Sequence, residues 1–150
     1  MKLIVAHAKG NAIGHKDKLP WNCPADMKFF ISKSKEHINL LMGRVTSSGI
    51  GTLKGRNIYT LGTGCDFVSV SEVIDFNVKN PLLICGGAAV YKSLLKYVDV
   101  IYVTELDIEV PNADTFFPSY KEEFVLSEII EEGISNNIPY KISKFVRSKI

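Results

Sequence analysis

Apolar residues fall into short runs along most of this chain, with polar or glycine-rich segments between them. Such runs are typical of strands that are buried on both faces of a sheet, and they occupy 2–8, 38–42, 57–61, 66–70, 81–85 and 98–105. Segments with helical spacing or helix-start residues predict helices at 24–34 or 35, 44–48, 71–76 and 88–96. The third of these helices begins with Ser71, which we predict to be its N-cap.

The alternation of strands and helices predicts an α/β fold, in which a mostly parallel central sheet has helices on both faces. Two further apolar runs, at 124–130 and 140–146, have no convincing helix between them and predict an antiparallel pair at one edge of the sheet. The chain has 150 residues and no repeat, linker or low-complexity segment, so we expect a single domain over 1–150.

A long connection, 10–22, follows the first predicted strand and contains Gly10, Gly14 and Pro20. Connections of this length are uncommon in compact domains and are often functional. We therefore expect this segment to border a binding site.

The helix that follows brings a carboxylate close to large apolar side chains. Pro24 suits the first helical position, because its fixed φ is already helical, and Asp26 follows in the first turn beside Trp21 and Phe30. An acid in apolar surroundings can bind a cationic ligand, and those surroundings control its pKa. An aspartate at this place can also serve only to stabilise the helix dipole, so the segment alone leaves both interpretations open.

Two junctions between a strand and a helix are suited to phosphate groups. In one, Gly86 and Gly87 let the backbone approach a ligand, and the N–H groups of the next helix attract an anion. In the other, Gly43 precedes Arg44 and Thr46, which offer a guanidinium and a hydroxyl. Each could be a simple tight turn, and neither is a GxGxxG or P-loop motif. Together, at the carboxyl ends of strands, they predict a dinucleotide site.

Composition and charge exclude several classes of protein. The net charge is only +2 and the lysines are scattered, so the basic stripe of a nucleic-acid-binding surface is missing. No apolar run approaches the length of about 18 residues that a membrane-spanning helix needs. The three cysteines form no CxxC pair and the three histidines lack metal-ligand spacing, so we expect a reducing, cytoplasmic setting and no metal.

Short motifs between Leu3 and Pro118 give the chain a specific resemblance to the dihydrofolate reductase family. No single motif decides the matter, but all of them occur in the family's order at compatible spacings. They are Ile13-Gly14, Leu19-Pro20-Trp21, Pro24-Ala25-Asp26 with Phe30, Met42-Gly43-Arg44, Ile50-Gly51, Gly55-Arg56, Gly86-Gly87 with Val90-Tyr91, Thr104-Glu105 and Asp114-Thr115-Phe116-Phe117-Pro118.

The resemblance implies the three-layer fold of that family and its reaction, the NADPH-dependent reduction of 7,8-dihydrofolate to 5,6,7,8-tetrahydrofolate. In that reaction a hydride reaches C6 of the folate and a proton reaches N5, in support of one-carbon metabolism and thymidylate synthesis. The resemblance further implies NADPH as cofactor, dihydrofolate and antifolate small molecules as ligands, no nucleic-acid or membrane partner, and a cytoplasmic monomer.

The same resemblance assigns tasks to individual residues. The catalytic set would be Asp26, Thr104, Trp21 and Leu19, the last two at the hinge side of a lid formed by the 10–22 connection. The substrate would contact Ile4, Val5, Asp26, Met27, Phe30, Ile50, Leu53, Arg56 and Thr104, with Arg56 paired to the glutamate α-carboxylate. The cofactor would contact Ala6, Ile13, Gly14, Gly43, Arg44, Thr46, Cys85, Gly86, Gly87, Val90, Tyr91 and Thr115, with Arg44 at the 2′-phosphate.

A few positions depart from the family pattern or stay undecided. Val45 and Ala89 stand where relatives often carry basic residues, which implies weaker cofactor binding with the chemistry kept. The segment after Arg56 aligns in more than one register, so Thr60, Gly62 and Thr63 all remain candidates for contact with the 2′-phosphate.

Two other functions remain open on the sequence alone. The reductase domain of riboflavin biosynthesis shares this architecture, but it usually lacks the Pro-Ala-Asp helix start and the Thr-Glu strand end found here. A binding protein without catalytic activity would not need Asp26, Thr104, Arg56 and both glycine junctions together.

Overall fold

The computed structural model describes residues 1–15, 19–51 and 53–148. Within them the chain forms, in order, β1 (Lys2–His7), β2 (Ala12–Gly14), α1 (Pro24–His37), β3 (Asn39–Met42), α2 (Arg44–Ile50), β4 (Asn57–Thr60), α3 (Val70–Lys79), β5 (Leu83–Ile84), α4 (Ala88–Leu94), β6 (Val100–Leu106), β7 (Thr115–Phe116), β8 (Phe124–Ser135) and β9 (Ile138–Arg147). No helix in this described part of the chain is long and apolar enough to cross a membrane.

The main sheet has the strand order β4-β3-β5-β1-β6-β9-β8. The first five of these strands run parallel, and β9 pairs antiparallel with both β6 and β8. The short strands β2 and β7 form a separate antiparallel pair. The predicted parallel sheet with an antiparallel pair at its edge is confirmed.

Side chains of the parallel strands alternate between two cores, because successive residues of a strand point to opposite faces. Leu3 and Val5 of β1 pack on one face with Val73 of α3 and Leu94 of α4. Ile4 packs on the other face, in a cluster that also contains Leu40, Met42, Leu83, Tyr102, Phe29 and Phe30. Helices therefore cover both faces, as the predicted three-layer arrangement requires.

Helix α1 begins as predicted and ends slightly later. Pro24 occupies the first helical position and Asp26 lies in the first turn. The helix continues to His37 instead of stopping at 34 or 35. It ends there because Ile38 adopts a φ of 66° and donates its backbone N–H to the Ser34 carbonyl.

The prediction of a strand at 66–70 is wrong. Among the described residues, this segment contributes a single bridge, between Leu61 and Phe67. Asp66 folds back instead, and its carboxylate accepts hydrogen bonds from the backbone N–H and the hydroxyl of Thr60. The segment is therefore a closed loop that leads into α3.

The N-cap of α3 is Ser69, and the prediction of Ser71 is wrong. The Ser69 hydroxyl accepts a hydrogen bond from the Glu72 N–H at 3.2 Å, and the Glu72 carboxylate accepts one from the Val68 N–H at 3.3 Å. This reciprocal arrangement resembles a capping box and satisfies N–H groups that a helix start leaves unpaired. It starts the helix earlier than the apolar pattern indicates.

The 10–22 connection contains regular structure that the apolar pattern did not reveal. Strand β2 lies within it and pairs with β7, and two strands of this length are too short to show a periodicity. Residues 16–18 of the connection lie outside the described residues. Closure of the connection over a ligand therefore stays a prediction.

Strands β8 and β9 form the antiparallel pair predicted from the two C-terminal apolar runs, and β8 extends further, to Ser135. They are joined by Asn136 and Asn137, which both have positive φ, as a tight hairpin turn requires. The tip of this hairpin contacts the start of α1. The Ser135 hydroxyl accepts a hydrogen bond from the Ala25 N–H at 3.1 Å, and the Asn136 side chain donates one to the Asn22 carbonyl at 2.8 Å.

Candidate active site

An open cleft of about 820 Å³ lies where β1, β3 and β5 end and α1, α2 and α4 begin. Ligands of parallel α/β sheets bind at this edge, because the strand ends and the helix starts converge there. The walls are mostly apolar. Among the described residues that line the cleft, Asp26 is the single carboxylic acid and Arg44 the single basic side chain.

Asp26 extends into the cleft from the first turn of α1 and is half-buried. Burial raises the pKa of its carboxyl above the ordinary 3.8, because desolvation disfavours the charged form. A hydrogen bond with the Thr104 side chain acts in the opposite direction and lowers the pKa. Thr104 itself is buried on β6, opposite Ala6 of β1. The result is an acid that exchanges its proton at a higher pH than an exposed aspartate does.

Apolar side chains surround this acid on the substrate side that the sequence predicts. Ile4 of β1, Phe30 of α1 and Ile50 of α2 line the cleft and belong to the same apolar cluster. Met27 and Leu19 lie at its mouth, where 49% and 54% of their surfaces are exposed. The cleft can therefore enclose a flat aromatic ligand between apolar walls and offer it one carboxylate.

The two glycine junctions meet on the other side of the cleft. The Gly43 N–H donates a hydrogen bond to the Gly86 carbonyl at 2.8 Å. A Cβ atom at Gly86, which has a φ of +119°, would lie 3.2 Å from the Tyr91 hydroxyl. A Cβ atom at Gly87 would lie 3.2 Å from the Thr46 hydroxyl. Side chains larger than hydrogen would thus crowd the site at both positions. Gly86 and Gly87 form a cradle in which backbone N–H groups are open to a ligand.

Tyr91 fixes the cradle to the central strand. Its hydroxyl donates a hydrogen bond to the Ile4 carbonyl at 2.7 Å, and burial raises its pKa well above 10.0. It stays protonated and acts as a donor. Because Ile4 also forms part of the apolar wall, this bond links the two glycines to the wall around Asp26.

Arg44 stands at the start of α2 and is exposed. Its Nη2 donates to the Thr63 carbonyl and lies 3.7 Å from the Cys65 thiol. Within 1–15, 19–51 and 53–148, no carboxylate forms an ion pair with it. The guanidinium therefore keeps its charge for an anionic ligand. Of the three residues left undecided by the sequence, Thr63 is the one with a bond to Arg44, whereas the Thr60 hydroxyl bonds to Asp66.

The remaining predicted cofactor residues also line the cleft. They are Ala6, Ile13, Gly14, Thr46, Cys85, Val90 and Thr115, and Val5, a predicted substrate contact, lines it as well. Burial raises the pKa of the Cys85 thiol, so this thiol stays protonated as part of the wall.

Trp21, Leu53 and Thr104 do not line the cleft and lie behind it. Trp21 packs in a separate apolar cluster with Ala8 and Leu106, and its indole N–H has no partner among the described residues. Leu53 supports the wall from behind, in the cluster that contains Ile4. Thr104 acts on the cleft through its hydrogen bond with Asp26.

Arg56 also lies away from the cleft lining in this structure. Its Nε donates to the Ser34 hydroxyl at 3.1 Å, and its two Nη atoms donate to the carbonyls of Lys54 and Ile31 at 2.6 and 3.4 Å. These contacts join the arginine to the end of α1. Sequence motifs cannot reveal them, because the partners are separated along the chain.

Several lining residues were not predicted as site residues. They are Val45, Gly49, Leu61, Ala88 and Ala89. Ala88 and Ala89 could have been found, since they directly follow the Gly86-Gly87 junction. Leu61 becomes visible only once β4 is placed beside β3. In the described part of the chain, no cluster of histidine, cysteine or acidic side chains is suited to a metal ion.

Comparison with known proteins agrees with this arrangement. The family model described as dihydrofolate reductase matches residues 1–147. The dihydrofolate reductase of Buchnera aphidicola is 33% identical, over 81% of this chain and 80% of its own length. That of Staphylococcus aureus strain Mu50 is 30% identical over 99% of both chains.

A solved structure shares the whole architecture. Dihydrofolate reductase from Enterococcus faecalis, complexed with NADP(H) and RAB-propyl, superposes with a TM-score of 0.85 and 28% identity, over 99% of this chain and 96% of that one. The fold, the cleft and the match along nearly the entire sequence lead to one conclusion. This chain belongs to the dihydrofolate reductase family.

Proposed function

We propose that this chain catalyses the NADPH-dependent reduction of 7,8-dihydrofolate to 5,6,7,8-tetrahydrofolate, the reaction of its family. The observation that carries the proposal is the half-buried Asp26 carboxyl in an apolar cleft that also contains a glycine cradle. The family assignment favours this reaction over that of the riboflavin-pathway reductase. A merely binding protein would not need a half-buried acid opposite such a cradle.

Asp26 binds and polarises the pterin. Its carboxylate accepts hydrogen bonds from the 2-amino group and the N3 side of the ring, and its charge favours protonation at N5. Thr104 holds the carboxylate in place through its hydroxyl. The apolar neighbours Phe30 and Ile50 limit the access of water, which strengthens these electrostatic effects.

The cradle is suited to a nicotinamide dinucleotide. Gly86, Gly87 and Thr46 would hold the phosphates through backbone N–H groups and one hydroxyl, with Gly43 in contact beside them. Arg44 would bind the 2′-phosphate that distinguishes NADPH from NADH. When bound, NADPH supplies the hydride that C6 of the folate receives. The crowding that a Cβ atom at Gly87 would cause shows why small residues stand there.

Ala6, Ile13 and Gly14 would lie against the nicotinamide and its ribose, and Leu19 and Trp21 would form the hinge side of the closing 10–22 lid. Arg56 would bind the glutamate α-carboxylate of the substrate, from its place beside the end of α1. We also propose a single-domain, cytoplasmic monomer that binds antifolates and has no nucleic-acid or membrane partner, in keeping with its low net charge of +2.

The test follows NADPH oxidation in the presence of 7,8-dihydrofolate, for the wild type, Asp26→Asn and Asp75→Asn. Asp75 is a matched control, because it is an exposed aspartate on helix α3, away from the cleft. We expect turnover by the wild type and by Asp75→Asn, and its loss in Asp26→Asn. Absence of turnover by the wild type would refute the proposed activity, and equal rates in all three proteins would refute the role of Asp26.

A further inference from the structure

The loop between β4 and α3 is closed by side-chain hydrogen bonds. The Asp66 carboxylate accepts bonds from the Thr60 N–H at 2.9 Å and from the Thr60 hydroxyl at 3.1 Å, and the Asp66 N–H lies 3.3 Å from the same hydroxyl. The Phe67 N–H donates to the Thr60 carbonyl at 2.9 Å. The ends of the 60–66 loop are thus clasped by Asp66, on the free side of the edge strand β4.

The closed loop contacts the Arg44 guanidinium. The Thr63 carbonyl accepts a hydrogen bond from Nη2 of Arg44, and the Cys65 thiol lies 3.7 Å from the same nitrogen. A Cβ atom at Gly64, which has a φ of +74°, would lie 3.4 Å from it. The loop therefore orients Arg44 with neutral groups, which leave its positive charge uncompensated.

Orientation matters here because Arg44 is exposed and is the single basic side chain among the described residues that line the cleft. Val45 and Ala89, which also line it, add no second cation. A flexible arginine loses rotamer freedom when it binds phosphate, and an arginine that is already held in place loses less. Discrimination between NADPH and NADH then depends on how well this one side chain is held.

We propose that Asp66 is a positioning residue for cofactor selection, which keeps the 60–66 loop closed so that the Thr63 carbonyl aims Arg44 at the 2′-phosphate. This inference rests on the proposed function, in which Arg44 binds that phosphate. The charge of Asp66 would act in the opposite direction, since a carboxylate near a phosphate repels it. Positioning and repulsion therefore predict opposite results for one substitution.

The test measures dissociation constants for NADPH and NADH, with kcat at saturating cofactor, for the wild type, Asp66→Ala and Thr60→Ser. Both Thr60 donors bond to one carboxylate oxygen of Asp66, which alanine removes and which the side-chain oxygen of an asparagine would replace. We expect Asp66→Ala to weaken NADPH binding about three- to tenfold, the effect of one or two hydrogen bonds, with NADH binding and kcat unchanged. Thr60→Ser keeps both donors and should behave like the wild type. Tighter NADPH binding by Asp66→Ala would mean that repulsion dominates, and would overturn the proposal.

A double-mutant cycle with Arg44→Gln shows whether Asp66 acts through Arg44. The effect of Asp66→Ala should disappear in the Arg44→Gln background, whereas an equal effect there, or an equal loss for NADPH and NADH, would indicate mere destabilisation and refute the proposal. Ser69→Ala is the matched control, because it weakens the nearby start of α3 without touching the bonds between Asp66 and Thr60, and it should bind NADPH like the wild type. If the wild type fails to oxidise NADPH with dihydrofolate, the proposed function fails and this inference fails with it. If the wild type is active and Asp66→Ala binds NADPH as tightly as the wild type does, the inference alone is refuted.

Discussion

The two charged residues of the cleft, Asp26 and Arg44, are held by opposite means. Asp26 is half-buried on a helix of 14 residues and bonds to the buried Thr104 side chain, and burial raises its pKa. Arg44 is exposed on a helix of 7 residues and is held by a carbonyl of a neighbouring loop. The groups around Asp26 shift the pKa of its carboxyl, whereas the loop beside Arg44 sets the direction in which its guanidinium points.

This difference predicts how the two residues respond to salt and to substitutions of their neighbours. A half-buried group responds to changes in the side chains that exclude water from it, and it is screened little by salt. An exposed charge is screened by salt over roughly 10 Å at 0.1 M ionic strength. The turnover that depends on Asp26 should therefore change little with salt concentration. The preference for NADPH over NADH, which depends on Arg44, should weaken as salt is added.

The largest effect is expected from Asp26→Asn. We expect kcat/KM for dihydrofolate to fall by about 10²–10⁴-fold, the range typical of a lost general acid–base group. The remaining activity should rise as the pH falls, because solvent must then supply the proton at N5. A steady-state pH profile of kcat/KM checks this. A fall in kcat/KM of less than threefold would contradict the role of Asp26 in the chemistry.

Arg44→Gln should have the next largest effect. Loss of hydrogen bonds from a charged donor should raise the dissociation constant of NADPH by about 10- to 100-fold, while that of NADH stays near the wild-type value. Titration at low and high salt should show the difference between the two proteins shrinking as salt is added. Equal losses for both cofactors would instead assign Arg44 a structural role.

Thr104→Val tests how far one hydrogen bond shifts the pKa of the half-buried Asp26. Because the bond lowers the pKa of Asp26, its removal should raise that pKa further and move the pH profile of kcat/KM to higher pH. The rate at neutral pH should fall by about three- to tenfold, as for one lost buried hydrogen bond. An unchanged profile would indicate that Thr104 only fills space.

The smallest effect concerns stability. Since the pKa of Asp26 is raised above 3.8 in the folded protein, the folded state binds this proton more tightly than the unfolded chain does. The stabilising contribution is complete below pH 3.8 and is lost as the pH rises through the raised pKa. The free energy of unfolding of the wild type, minus that of Asp26→Asn, should therefore decrease from acidic to neutral pH in urea denaturation. A difference that stays constant with pH would show that Asp26 is not desolvated.

The sequence predicts best those features that depend on neighbouring residues. Strands β1, β3 and β6 were found because they are buried on both faces and hence continuously apolar. The start of α1 was found from Pro24 and Asp26, which lie within one helical turn. The same local signal makes Asp26 a candidate acid, and the resemblance to the family, not the signal, assigns it a catalytic role.

Features that depend on distant side chains were missed. The apolar residues at 66–70 indicate a strand, but the bonds between Asp66 and Thr60 close a loop there instead. The contacts of Arg56 with Ser34, and of Arg44 with Thr63, join residues that only the folded chain brings together. Local periodicity carries no information about such pairs.

The position of β9 has a consequence for folding while the chain is being synthesised. Every described residue that lines the cleft lies at or before Thr115, yet β9 (Ile138–Arg147) is inserted between β6 and β8. A nascent chain that has just passed Thr115 thus contains all of these residues while one side of β6 still lacks its partner. The contact between Ser135 and Ala25 also forms only after the hairpin has been synthesised. The hairpin can therefore support the start of α1 only after the last strands have left the ribosome.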